Sequence, residues 1–444
     1  MKKRLISRLA AFLIFVTCIS VLFTACSERV SSESDPAPSA GTEQSAQMTT
    51  DGKVTLVLAI FAGQYGNWDV DKLQSIISDF NEQNDRYTIE IRDYTNGGEV
   101  PDDQAISKMN TEILSGNGPD MIHFVPLIRG LSPDPYISRG LLVNLSDCMA
   151  NDPDIGMDDI VIAKALSYDD AIYYLDSSFT FETMLGKYDA FGDRFYWTLS
   201  EYIELEKTLP PEVMTWYNIT KESFLKQVAS RYIRVAIDWK NGTCDFNNAD
   251  FIGILEAASR IRDTPEDSHN MVFGYGPTML GQGIIATSMS NCTDVAHLAY
   301  EERMAGCKLS FIGFPTIDGS CGTYANLRGP IGIIKGQNAE GCWEFLKFYV
   351  LHYDRGIPVY RPFFEQAIET AKAAEKPEER MTENDAVRLR ELVSSIENVT
   401  IYDNNARNII IEEAMAYLNG SKTAQEAAKQ VQSRVSIYVA EQAS

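Results

Sequence analysis

The residues able to do chemistry in this chain are few and scattered. Four histidines (His123, His269, His297 and His352) share no metal-ligand spacing, and the eight cysteines include no CxxC pair. That pattern predicts no structural zinc and no bound metal or cofactor. A GxSxG elbow, an HExxH motif and a phosphate-binding loop are missing, and Gly274-Tyr275-Gly276-Pro277 lacks the spacing and the strand-to-helix setting of a dinucleotide site. The paired carboxylates of a glycosidase need no motif, since any two of the 62 acids can meet in space, so a hydrolase stands as an alternative to a protein without catalysis. The better candidates are aromatic and planar polar side chains at the ends of apolar runs. Tyr65 and Trp68 belong to a turn-rich stretch after one such run, Trp239 ends another just before Asn241-Gly242, and Tyr324, Asn326 and Arg328 lie shortly before Gly332. Aromatic faces stack on apolar faces of a ring, and a guanidinium clamps a pair of oxygen acceptors. This is the chemistry of holding a small molecule. Each candidate also has a duller reading: helix-start packing for Trp68, a surface ion pair for Arg328. Trp343 shares an apolar helix stripe with Leu346 and Val350 and reads as core, and Trp197 precedes a helix cap and reads as a staple.

These residues need elements to position them. Lys53 to Phe61 is too apolar for a half-exposed edge and reads as a central parallel strand. Leu73, Ile76, Ile77 and Phe80 then fall on one helical stripe, and Tyr87 to Arg92 alternates as a strand. Ile106, Met109 and Ile113 mark a second helix with Asp102 or Asp103 as N-cap, and Met121 to Val125 is a third strand. Strand, helix, strand, helix, strand predicts a parallel sheet with a crevice beyond the carboxyl ends of its strands, walled by residues 61–68 and 119–126. The middle is mixed: Tyr173 to Leu175 as a strand, a capping box at Thr198-Leu199-Ser200-Glu201 opening a helix, and Val235 to Trp239 as a strand. Strands and turns return over 309–334, a helix follows over Asn338 to Leu351, and the tail is helical, with Leu389, Leu392, Val393 and Ile396 on one stripe and a capping box at Thr423 to Glu426.

The ends and the charge bound the setting. Lys2, Lys3 and Arg4 precede an apolar run that closes with Leu22-Phe23-Thr24-Ala25-Cys26, which predicts a signal peptide over residues 1–25. An uncleaved membrane anchor is the alternative, and the run is short for one. Residues 26–51 hold almost no large apolar side chain and predict a flexible tether. Some 390 residues remain, enough for two domains or lobes. The formal charge of −23 repels nucleic acid and anionic lipid heads and excludes a nucleic-acid partner.

Several motifs in this order resemble one family. They are Gly118-Pro119-Asp120-Met121-Ile122, Trp197-Thr198-Leu199, Phe311-Ile312-Gly313-Phe314-Pro315-Thr316-Ile317-Asp318-Gly319, the helix from Ala339 to Phe348, and Ala414 to Gly420. Together they are similar to the extracellular solute-binding proteins of family 1, the maltose-binding-protein-like components of ABC importers. The leader likewise resembles a lipoprotein lipobox, implying acylation of Cys26 and a lipid anchor on the outer face of the cell membrane. The resemblance implies an α/β, two-lobed periplasmic-binding-protein-like (class II) fold with a hinge and a ligand cleft between the lobes. Residues 52–125 plus 306–355 would form lobe 1 and residues 126–305 plus 356–444 lobe 2, with crossings near Pro126, Phe314-Pro315 and Pro358. It implies a monomer that binds a small molecule, a mono- or oligosaccharide, and hands it to permease subunits served by a transport ATPase. A peptide, polyamine or organic acid in the same cleft is the alternative. By the same resemblance Asp120, Ser178, Phe179, Ser288 and Asn291 join Tyr65, Trp68, Trp239, Tyr324 and Arg328 as candidate ligand contacts.

Overall fold

The computed structural model describes residues 52–62, 67–125, 130–217, 219–261, 276–336, 338–352, 356–376, 380–400 and 404–443. The leader, Cys26, the tether, Tyr65, Pro126 and the Gly274-Tyr275 pair lie outside the described residues. In chain order the strands are β1 (Val54–Ile60), β2 (Tyr87–Asp93), β3 (Met121–His123), β4 (Tyr174–Leu175), β5 (Ser178–Lys187), β6 (Met214–Trp216) and β7 (Ile237–Asp238). They continue with β8 (Thr243–Cys244), β9 (Ile285–Cys292), β10 (Leu309–Phe311), β11 (Tyr324–Leu327), β12 (Ile331–Ile333), β13 (Ile357–Pro358) and β14 (Asn398–Val399).

The first sheet runs β2-β1-β3-β12-β4, and β1 lies parallel to both β2 and β3. Leu56, Leu58 and Ala59 of β1 are wholly buried, which is why that strand is apolar on both faces. The helix Asn67–Gln83 turns Leu73, Ile76, Ile77 and Phe80 into the core, and the Phe80 ring meets those of Phe345 and Phe348 edge-on at 5.2 and 5.4 Å. The helix Asp102–Leu114 starts one residue earlier than its expected cap: Pro101 is the N-cap, and Asp102 and Asp103 sit in the first turn, where they face the positive end of the helix dipole.

The second sheet is seven-stranded and centred on β5, which pairs antiparallel with β9, β10, β11 and β13; β6 and β14 are parallel additions at its edges. Four long helices, Lys221–Ala236, Ala249–Arg260, Asn404–Leu418 and Ala424–Ala443, build a second core from residues such as Phe224, Leu255, Ile410 and Val435. The strand expected over Val235 to Trp239 shrinks to the two residues of β7. Val235-Ala236 instead finish a helix that Thr220 opens by accepting the backbone N–H of Ser223 through its side chain. Among the described residues no helix is long and apolar enough to cross a membrane. Cys148, Cys244, Cys292, Cys307, Cys321 and Cys342 are free thiols.

The chain passes between these two sheets three times: between Leu175 and Ser178, between Leu327 and Ile331, and between Leu351 and Ile357. Two of these passages differ from the expected ones. β4 pairs with β12 in the first sheet, and Leu142 bridges Ile334, so Leu142 and Tyr174-Leu175 still belong with the first sheet. β10 and β11 both pair with β5, so the passage lies past Phe314-Pro315, not at it. Phe314 instead closes a tight backbone crossing in the second core. Gly313 has φ of 67°, and a Cβ there would come within 2.7 Å of the Gly322 carbonyl carbon; Phe314 N donates to Gly322 O at 3.0 Å, and Trp197 Nε1 to Gly313 O at 2.8 Å. Gly313→Ala is therefore expected to cost about 2–4 kcal/mol, from left-handed strain plus a backbone clash. A denaturant midpoint equal to that of the unaltered protein would contradict this reading of the Gly-Phe-Pro motif.

Candidate functional site

Side chains of a strand alternate between its two faces, and residues directly opposite on neighbouring strands share a face. On β5, Phe179 and Phe181 point into the core and are fully buried, which leaves Ser178, Thr180 and Glu182 on the other face. Register adds Tyr324 and Asn326 of β11, opposite Glu182 and Thr180, and Asn291 of β9, opposite Glu182. The central strand of the second sheet thus carries a continuous polar stripe. Asn326 Oδ1 is buried there and accepts no hydrogen bond, a cost of about 1–3 kcal/mol that a ligand donor would remove.

At the Glu182–Tyr324 end the stripe opens into a cavity of about 600 Å³. One wall comes from the helix Lys221–Ala236, which projects Arg231 and Arg234 toward it. The Arg231 guanidinium lies 3.6 Å from the Phe314 ring centre and 5.0 Å from that of Tyr324, donates to Glu182 Oε2 at 3.0 Å, and holds the carbonyl of Gln227 at 2.8 Å. Trp239, at the end of β7, lines the same cavity and meets the Tyr438 ring edge-on at 6.1 Å. The opposite wall, Asp134, Tyr168 and Asp169, belongs to the stretch that precedes β4. Lys240 reaches across to Asp169 at 2.9 Å, but both side chains are about two-thirds exposed, and such a pair contributes little. Thr400 Oγ1 also borders the cavity and is buried with no hydrogen-bond partner among the described residues. Aromatic faces, a stacked guanidinium and unmatched polar atoms suit a ring-shaped, hydroxylated molecule.

The other end of the stripe reaches the crossings between sheets. Ser178, Arg328, Lys72 and His123 line a small recess there, around Asp176. Asp176 is 1% exposed, and its carboxylate accepts the backbone N–H of Ser177 (2.7 Å), Arg328 (2.9 Å) and Gly329 (2.9 Å) and the hydroxyl of Tyr349 (3.0 Å). Burial pushes the Asp176 carboxyl above its ordinary pKa, and the four donors pull the other way. Ser177 and Arg328-Gly329 lie in the first two crossings and Tyr349 in the helix Ala339–Leu351 that leads to the third, so one carboxylate ties two crossings to that helix.

The expected site residues divide. Trp239 and Tyr324 line the cavity, and Ser178 lies on the polar stripe. Asn291 shares the row of Glu182 but stands outside the cavity. Arg328 borders the recess through an exposed side chain, and its backbone serves the Asp176 knot. Phe179 is core, because it occupies an odd position of β5. Ser288 is paired with Leu185, so it faces away from the stripe, against Gly276, where an added Cβ would meet its hydroxyl at 2.3 Å. Asp120 is a brace within the first sheet: its two oxygens accept Val57 N at 2.8 Å and Asn338 Nδ2 at 3.0 Å. Trp68 is described only as part of the helix Asn67–Gln83, and Tyr65 lies outside the described residues. Of the expected crevice walls, Phe61, Ala62 and residues 119–125 are absent from the cavity lining. Trp343 packs in the core and donates Nε1 to Asp152 at 2.9 Å. Glu182, Arg231, Arg234 and Arg407 were not among the expected residues. The capping pair Thr220/Ser223 and the i, i+3 spacing of Arg231 and Arg234 are signals for those two arginines; nothing local in the sequence marks Glu182 or Arg407.

A scan against protein-family models finds no match, and no curated protein matches the chain. Solved structures do match along most of its length. An extracellular solute-binding protein of family 1 from Alicyclobacillus acidocaldarius superposes with a TM-score of 0.51 at 15% identity, covering 87% of this chain and 99% of that one. The sugar-binding protein MalE of Xanthomonas citri gives 0.53 at 13% identity, over 87% and 98%. A periplasmic oligogalacturonide-binding protein of Yersinia enterocolitica gives 0.55 at 13% identity, over 88% and 100%. The chain therefore has the two-lobed α/β fold of these solute-binding proteins.

Proposed function

We propose that the chain is an extracellular solute-binding protein that holds a carbohydrate in the cleft between its lobes and delivers it to an ABC importer. The observation that carries this reading is the make-up of the 600 Å³ cavity: Trp239 and Tyr324 offer aromatic faces, Arg231 is stacked and hydrogen-bonded in place, and among the described residues the buried Thr400 hydroxyl at its border has no partner. Two neighbours of like fold, a sugar-binding protein and an oligogalacturonide-binding protein, support the same ligand class. In this reading lobe 1 is the first sheet with the segments packed on it, lobe 2 the second sheet with its four helices, and the hinge is the triple passage around Asp176. Closure is stabilised only by contacts the ligand makes with both walls at once. Three of the four cavity carboxylates are already engaged, Glu182 by Arg231, Asp169 by Lys240 and Asp238 by Asn241, which favours holding over hydrolysis.

The rest of the reading concerns setting: a leader cut before Cys26, acylation of that thiol, a tether over 26–51, and a monomer that docks on permease subunits driven by an ATPase. Replacing Cys26 with Ser should release the protein from the membrane fraction and abolish its acyl mass. Calorimetry of the full chain against mono- and oligosaccharides, peptides and polyamines tests the ligand class. Saturable binding of a saccharide, weakened at least about tenfold by Tyr324→Ala, is the expected result. Binding of only a peptide or polyamine would replace the carbohydrate reading.

A further inference from the structure

The cavity has a charge balance opposite to that of the whole protein. The chain carries 39 cationic and 62 acidic residues, yet five cations line the cavity (Lys226, Arg231, Arg234, Lys240 and Arg407) against four acids, Asp134, Asp169, Glu182 and Asp238. Most of these are spoken for. Arg231 pairs with Glu182, Lys240 with Asp169, Lys226 with Glu222 on its own helix, and Asp238 accepts from the Asn241 side chain. Asp134, on the far wall, is buried beside Tyr168 and Tyr174. Two guanidiniums are left over. Among the described residues Arg234 hydrogen-bonds only to the Val399 carbonyl, at 3.5 Å, and lies beside Tyr174 and Tyr324, while Arg407 makes no hydrogen bond or ion pair; both side chains are half-buried. Thr400, one residue beyond Val399, adds a buried hydroxyl with no partner at the same place.

Two half-buried guanidiniums lining one cavity, in a protein whose overall charge is strongly acidic, have a specific use. Arginine binds a carboxylate through two parallel N–H···O bonds, and withdrawal from bulk water strengthens the pair. Neutral hydroxyls would satisfy these donors less well and would leave the excess charge uncompensated. We propose that the saccharide this cleft takes is an acidic one, a uronic-acid-containing mono- or oligosaccharide whose carboxylate is held by Arg234 and Arg407, with Thr400 completing the contact. The proposal rests on the carbohydrate reading above and narrows it.

The test is titration calorimetry of the full chain with four probes: a digalacturonate, the neutral galactose disaccharide of the same linkage, galactose 6-phosphate and succinate. The digalacturonate is expected to bind at least about tenfold tighter than its neutral counterpart, a gain of about 1.4 kcal/mol. That advantage should shrink as sodium chloride is raised from 20 to 500 mM, roughly from long-range to screened conditions. In Arg234→Gln and Arg407→Gln the acid-to-neutral affinity ratio should fall toward one. A neutral disaccharide that binds as tightly as the acid to the unaltered protein would overturn the inference while leaving the carbohydrate reading in place. Binding of succinate or of the phosphate sugar in preference to digalacturonate would overturn the uronate assignment. Binding of no saccharide, charged or neutral, would instead sink the carbohydrate reading itself.

Discussion

Asp176→Ala is expected to destabilise the protein by about 3–5 kcal/mol, the range for removing one partner from a buried, charged hydrogen-bond network. The carboxylate accepts from Ser177 N, Arg328 N, Gly329 N and the Tyr349 hydroxyl, and its removal strands three backbone donors where water does not reach. Asp176→Asn should do nearly as badly, although it keeps the size. Its single carbonyl oxygen can serve one side of the knot, while the amide presents hydrogens to the donors on the other. If the tied segments form the proposed hinge, the Asn variant should also loosen it, seen as a larger radius of gyration in small-angle scattering without ligand. A thermal midpoint for Asp176→Asn equal to that of the unaltered protein would show that these contacts do not anchor the crossings.

The second large effect is expected at Arg231. Its guanidinium is buried, stacked 3.6 Å from Phe314 and 5.0 Å from Tyr324, and paired with Glu182. Arg231→Ala removes a cation–π contact and leaves Glu182 uncompensated at the cavity floor, a loss of about 2–4 kcal/mol in stability. Ligand affinity should fall by about 30-fold or more, because the Tyr324 face loses the plane that fixes it. Arg231→Lys separates the two roles. A lysine restores the charge opposite Glu182 but neither the flat stack nor the two-pronged donor, so stability should recover more than affinity. If the lysine variant binds saccharide as well as the unaltered protein, the stacked geometry is not what orients the ligand.

The parts of the fold that were legible in the sequence are those in which local pattern and tertiary role coincide. Leu56 to Ile60 is apolar because β1 is covered on both faces, and the stripe Leu73-Ile76-Ile77-Phe80 is the face that packs on Phe345. Capping residues marked helix starts at Thr198 and Thr423 with hydrogen bonds to match. The crossings were not legible, because they depend on which sheet a strand joins. Tyr174-Leu175 and Ser178-Phe179 are neighbours in sequence with similar composition, yet they pair in different sheets. The site was readable only in part for the same reason. Trp239 and Tyr324 announce themselves as aromatics at strand ends, but the stripe that joins Glu182, Tyr324 and Asn291 exists only through register across three strands. Phe179 and Ser288 differ from residues of the polar stripe by a single position of alternation, and a one-residue shift exchanges one face of the sheet for the other. Asp120 was drawn in by its motif, and its carboxylate is used up in bracing Val57 and Asn338.

The idea on which all of this depends is that the cleft retains a sugar and returns it unchanged. Native mass spectrometry of the full chain incubated with a mixture of plant and bacterial oligosaccharides addresses it in one spectrum. The expected result is a one-to-one complex whose released sugar has the mass it had on entry, with the complex depleted in Arg231→Ala. A spectrum with no retained saccharide, or with sugar fragments accumulating in proportion to protein, would contradict it.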